Sequence, residues 1–225
     1  MNILAIECTH AALSVAVKKS GTIVEVATPD WQKAAEKLVP LIGQVMEESD
    51  LDRHELDCMA ISSGPGSFTS LRIGMSVAKG IAYALGIPLL AVPTMPAMAA
   101  SLSSSAMVMA VIPARKGEYY YALYRPEDLA SGVWHDEAGR GSADDVAAAA
   151  TVAAQSGETV VVGRKLHELI PALASSGALY ADANSFTARS LFPAAERLFA
   201  GSDAADLDQV TPDYRYMFVP NGGKV

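Results

Sequence analysis

Apolar positions along the chain recur with two periods and divide it into short strands and longer helices. Residues 3–7 and 13–18 are strand-like, with a short turn at 8–12 between them. Ser20-Gly21 then turns the chain into a third strand at 22–27. Pro29-Asp30 is an entry signal for a helix over 31–48. In that helix Ala34, Leu38, Leu41 and Val45 form one stripe, and Ala35, Val39, Ile42 and Met46 form a second beside it. Together they are wider than the roughly 100° stripe of an ordinary surface helix. Pro40 lies inside and is expected to kink it, because it removes one backbone donor.

The chain is organised around residues 62–94, SSGPGSFTSLRIGMSVAKGIAYALGIPLLAVPT. A strand at 59–61 runs into the turn Gly64-Pro65-Gly66-Ser67, and a helix follows to Leu85. The break Gly86-Ile87-Pro88 leads to a second apolar strand at 89–92. Gly64 and Gly66 let another backbone or an anion come close, and Ser67 or Thr69 caps the helix. A glycine turn used for geometry alone reads the same way. Over 70–85 only Arg72 and Lys79 are charged, so the helix is apolar nearly all round and is buried on more than one side. It is too short and too charged for a membrane span. Either the domain wraps it or a partner does. The stripe expected to meet a partner comprises Leu41 and Val45 with Gly74, Ala78, Ile81 and Ala82.

The small polar run 101–106 marks a domain boundary, giving an N-terminal domain over 1–103 and a C-terminal domain over 104–225. Beyond it, 107–113 and 118–124 read as a hairpin closed by 114–117, with Tyr119, Tyr120 and Tyr121 alternating between faces. A helix starts at Asp144-Asp145, and a buried strand follows at 159–162. A short helix at 166–174 is interrupted by Pro171. A last helix at 187–200 has the option of packing back on the first domain, and 217–225 reads as a frayed tail.

Composition narrows the function. The chain has 225 residues, 51% of them hydrophobic, and its mean hydropathy is +0.22. No uninterrupted run of about 18 apolar residues occurs, so the excess apolar surface belongs to the core or to another protein. MNILAIECTH lacks a basic leader and reads as a first strand. Two cysteines make no disulfide framework, which fits a reducing cytoplasm. The net charge is −8, against the basic stripe expected of a protein that grips RNA alone. The pairs Lys18-Lys19, Arg115-Lys116 and Arg164-Lys165 read as solvated edges or turns. His10 reads as a turn residue, and His54, His135 and His167 share no metal spacing.

The run GPGSFTSLRIGMSVAKGIAYALGIPLLAV resembles the Gcp-like branch of the superfamily that holds actin, the chaperone ATPases and the sugar kinases. The resemblance extends to residues 2–17 and, weakly, to 112–124 and 212–216. It implies an α/β fold of two tandem actin-like half-domains, each a mixed sheet flanked by helices. Within the family it points to the non-catalytic subunit that supports TsaD in forming N6-threonylcarbamoyladenosine at position 37 of tRNAs reading ANN codons. TsaD and the ATPase TsaE are then the partners, with tRNA met only through the complex; a homodimer or a monomer as the state of the lone chain is left open. No cofactor of its own is implied; ATP or ADP at the interface with TsaD is left open.

Four departures bear on that reading. The first turn, a phosphate loop with Asp-Thr in many relatives, reads Glu7-Cys8-Thr9 here, a remnant rather than a firm basis for nucleotide hydrolysis. Thr94 and Met98 stand where TsaD has its metal-binding His-x-x-x-His pair, so neither a metal nor a catalytic residue is assigned. Pro113 replaces the usual Asp of the hairpin, where Arg115 and Glu118 read as a turn ion pair. Pro212-Asp213-Tyr214-Arg215-Tyr216 is an offset form of the family's terminal signature. The competing activities are an ATPase or small-molecule kinase of the same superfamily using Glu7, and a glycoprotease-like peptidase.

Overall fold

A computed structural model of the protein describes residues 1–9, 13–30, 33–115, 117–131, 134, 138–164, 166–200 and 207–215. His10, Trp31, Lys116, His135, Lys165, Tyr216 and the tail 217–225, all read from the sequence above, lie outside the described residues.

β1 (Ile3–Glu7), β2 (Leu13–Lys19) and β3 (Thr22–Thr28) form an antiparallel meander. After α1 (Ala34–Glu48), β4 (Cys58–Ser62) pairs parallel to β1, placing Leu4 beside Met59 and Ile6 beside Ile61. α2 (Phe68–Leu85) then crosses to β5 (Leu89–Val92), parallel to β4. The first sheet therefore runs β3-β2-β1-β4-β5. α3 (Thr94–Ala100) and the connection 101–106 lead to the second half.

That half repeats the order. β6 (Met107–Pro113), β7 (Glu118–Tyr124) and, after α4 (Pro126–Ser131), β8 (Gly139–Ser142) are antiparallel. α5 (Ala143–Ser156), β9 (Thr159–Gly163), α6 (Ile170–Leu173) and β10 (Leu179–Asp182) supply the parallel part. The second sheet runs β10-β9-β6-β7-β8, the same connectivity as the first. Two mixed sheets flanked by helices make this an actin-like α/β fold of two half-domains.

Strands buried on both faces read as continuous apolar runs, and β1 shows how both faces are used. Ile3 and Ala5 point into a core between the sheets, shared with Ala60, Val92, Ala110, Ile112 and Phe186. Leu4 and Ile6 point outward to Leu38, Val45, Met75 and Ala78 of α1 and α2. A third core lies under α5, with Met109, Val111 and Val161. Fully burying one such Leu, Ile or Val contributes about 1.5–3 kcal/mol.

Local signals set the ends of the helices. Ser67 caps α2, and Gly86, in a left-handed conformation with φ +67°, stops it. Ser142 and Asp145 form a capping box at the start of α5. Two helices differ from expectation. Instead of a helix over 166–174 interrupted by Pro171, helical structure starts at Ile170, with the proline in the first turn where its missing N–H costs nothing. The helix expected over 187–200 is a 3₁₀ turn, Ala188–Leu191, followed by α7 (Phe192–Ala200). The 3₁₀ turn packs on β1, β2 and β4, and α7 packs on β4 and β5, so this segment lies against the first sheet.

Candidate functional site

Glu7 closes β1, and the chain turns through Cys8 and Thr9 beside the Gly64–Ser67 turn. The two turns are in direct contact. The Ser67 N–H donates to the Thr9 carbonyl at 2.6 Å. A Cβ at Gly66 would lie 2.7 Å from Thr9 Cβ, and one at Gly74 would lie 2.5 Å from Cys8 Sγ. The Cys8 thiol donates to the Ser70 carbonyl at 3.4 Å. Gly64, with φ +114°, faces the carbonyl of Asp213, and the Asp213 N–H donates to the Ser63 carbonyl at 2.7 Å. Gly64 and Gly66 therefore serve a close approach of the chain's own backbone, whereas Gly74 makes room for the Cys8 sulfur.

Glu7 is fully buried and fully engaged. Its Oε1 accepts from the Thr9 N–H at 2.8 Å and from the Thr9 hydroxyl. Its Oε2 accepts from Nη1 of Arg164 at 3.0 Å. Arg164, read from the sequence as half of a solvated pair, is in fact buried between the halves. A charge just past an apolar strand looks exposed until the other sheet is placed above it. Burial, and then the adjacent Glu7 carboxylate, push the Cys8 thiol far above its ordinary value.

α1 and α2 lie side by side on the outer face of the first sheet. The stripe expected to meet a partner points largely inward. Val45, Gly74, Ala78 and Ala82 are buried against that sheet, and Leu41 and Ile81 are only partly buried. With two adjacent apolar stripes, helical period alone does not say which one the sheet takes. The outward face carries other apolar groups instead, with Val39 59%, Phe68 50% and Tyr83 82% exposed. At one end Ile42, Met46, Leu56, Ile81 and Leu85 line an apolar groove of about 410 Å³. At the start of α2, Arg72 stacks 3.9 Å from the Phe68 ring centroid and donates to the Tyr214 hydroxyl at 3.2 Å.

The sequence model described as "TsaD: tRNA N6-adenosine threonylcarbamoyltransferase" matches residues 15–174. The chain belongs to this family. Its curated relatives include the tRNA threonylcarbamoyladenosine biosynthesis protein TsaB of Escherichia coli, 28% identical over 219 residues and covering 95% of this chain and 94% of that protein. The TsaB of Bacillus subtilis is 29% identical over 127 residues, 56% of each chain. The solved structure of YeaZ from Pseudomonas aeruginosa shares the fold, with a TM-score of 0.74 at 24% identity over 95% of this chain and 99% of that one.

Within the TsaD family, positions 94 and 98 acquire a definite reading. The Thr94 hydroxyl accepts from the Gly64 N–H at 3.0 Å, and the Thr94 N–H donates to the Gly64 carbonyl at 3.0 Å. Thr94 thus holds the glycine turn from the far side, while Met98 is buried in the core between the sheets. In the hairpin the Glu118 carboxylate pairs with Arg140 on β8 and accepts from its Nε at 3.0 Å. Tyr119 and Tyr120 are buried on opposite faces of β7. Among the described residues no helix is long and apolar enough to cross a membrane.

Proposed function

We propose that this TsaD-family chain is the TsaB-type subunit of tRNA modification, a non-catalytic partner that supports TsaD in forming N6-threonylcarbamoyladenosine at position 37 of tRNAs reading ANN codons. The observation that carries this reading is the filled first loop. Thr9 is packed on Gly66, and both Glu7 carboxylate oxygens are taken by Thr9 and Arg164. A loop so engaged favours a supporting role over ATPase or kinase chemistry at Glu7. The positions of the metal-binding pair serve the turn and the core instead, which favours neither a transferase nor a peptidase. The similarity to a TsaB over 94% of that protein's length adds support.

The outward face of α1 and α2 is the docking surface in this reading. It is taken by TsaD in the complex and by a second copy when the chain is alone. TsaE and tRNA join through the complex, since a net charge of −8 favours another subunit as the main RNA contact. ATP or ADP, where bound, belongs to the hetero-interface, and the setting is the cytoplasm.

Reconstitution tests the proposal. TsaD, TsaE and the other pathway enzymes are incubated with an unmodified tRNA, with and without this chain, and the modified nucleoside is measured by mass spectrometry. Product should form only when the chain is present, and the chain alone should turn over no ATP. Full modification in its absence, or ATP turnover by the lone chain, would overturn the reading. Tyr83→Glu should fold normally yet weaken association with TsaD.

A further inference from the structure

Arg164 leaves the end of β9 and reaches the end of β1, so it joins the second sheet to the first. Its side chain is 5% exposed and that of Glu7 is 0% exposed. Besides its bond to Glu7, Nε donates to the Ala183 carbonyl at 3.1 Å, and the guanidinium carbon lies 5.1 Å from the Phe186 ring centroid. Ala183 is the point where the chain leaves β10 on its way back to the first sheet. One planar fork therefore touches β1 and the crossing segment while standing on β9.

Thr9, Thr94, Met98, Ile112, Arg164 and Phe186 line a small pocket beside the pair. Among the described residues, other ion pairs across the fold run elsewhere. Lys18 pairs with Glu196 and Glu25 with Arg189, tying the first sheet to the segment after β10. A buried ion pair contributes little net stability relative to apolar groups of the same size, but separating its charges without admitting water is costly.

We propose that Glu7 and Arg164 form a bolt between the two half-domains, fixing them as one rigid body at the strand ends. The length of the glutamate matters. Aspartate at position 7 would withdraw the carboxylate by about 1.5 Å, beyond hydrogen-bond reach of a guanidinium now at 3.0 Å.

Hydrogen–deuterium exchange on the full chain separates a bolt from a merely stabilising pair. Arg164→Met strands the Glu7 charge and should lower the melting temperature sharply, whereas Glu7→Gln/Arg164→Met should melt close to the parent. In that double variant, amides at 5–9 and 183–188 should exchange about tenfold faster, from typical couplings between contacting residues. Amides inside β2 and β9 should keep their parental rates. Unchanged exchange at the junction, or an equal rise throughout the chain, overturns the bolt. Should the double variant not fold, Arg164→Lys decides. It keeps a charge for Glu7 but loses the fork's bond to Ala183, so 183–188 should lose protection while 5–9 retains it. Parental rates in both segments would overturn the proposal.

Discussion

Gly74→Ala is expected to destabilise the protein, although alanine is the better helix former. The gain in intrinsic propensity is about 1 kcal/mol. Against it, the new Cβ would lie 2.5 Å from Cys8 Sγ and 3.3 Å from Ile61 Cδ1. The sulfur is held to the Ser70 carbonyl and Ile61 is fully buried, so neither gives way freely. Overpacking a filled core costs about 1–3 kcal/mol, so the net loss is about 0–2 kcal/mol. Cys8→Ala removes the sulfur and admits the methyl group. The double variant should therefore regain the parent's stability or exceed it, with a coupling energy of about 1–3 kcal/mol.

Urea unfolding of the parent, the two single variants and the double variant measures that coupling, provided the denaturant slopes agree. Had Gly74 belonged to an outward stripe, Gly74→Ala would raise the midpoint and Cys8→Ala would not interact with it. Either a raised midpoint in the single variant or a coupling within about 0.5 kcal/mol of zero would refute the seating of α2 on the first loop.

Val45→Glu should unfold the chain, because it places an unpaired charge at a 0% exposed position, at a cost of several kcal/mol. Tyr83→Glu, on the 82% exposed side chain, should shift stability by no more than about 0.5 kcal/mol; thermal melts followed by circular dichroism compare the two. The thiols predict a dependence on pH. Burial first, with the Glu7 and Asp57 carboxylates next, raises both, Cys58 to about 12. Unfolded thiols ionise near pH 8.5, so the stability they confer is whole below that value and falls as pH rises past it. The slope is up to about 1.4 kcal/mol per pH unit for each thiol. Urea midpoints from pH 8 to 10 should fall less steeply once both cysteines are alanine, and an unaltered slope would contradict the assignment.

The strands that the sequence makes legible are those packed on both faces. Ile3-Leu4-Ala5-Ile6 and Val160-Val161-Val162 announce themselves by unbroken apolar runs. β8 does not, since Gly139-Arg140-Gly141-Ser142 has no apolar residue to pattern. It becomes a strand because its backbone pairs with β7 at the sheet's edge. β10, with four residues, and the seven-residue α3, with Pro96 inside it, are too short to show a period. At the site, the convergence of Glu7, Cys8 and Thr9 on Gly64, Gly66 and Ser67 follows from β1 lying parallel to β4. Arg164 was not legible, because its partner lies 157 residues away and only the tertiary fold brings the two together.

The two halves share a topology, but they do not offer equal surfaces. Between β4 and β5 of the first half stands α2, with 18 residues; between β9 and β10 of the second stands α6, with four. A four-residue helix presents little more than one turn, so α5, with 14 residues, has no long neighbour beside it to make a two-helix face. α2 and its neighbour α1 do present one, and their outward apolar side chains Val39 and Tyr83 stand on it. The duplicated fold is thus asymmetric on the face proposed to dock a partner. A bolt at Glu7 and Arg164 gives that asymmetry a mechanical sense: with the halves held as one body, a partner gripping only α1 and α2 still positions the whole chain.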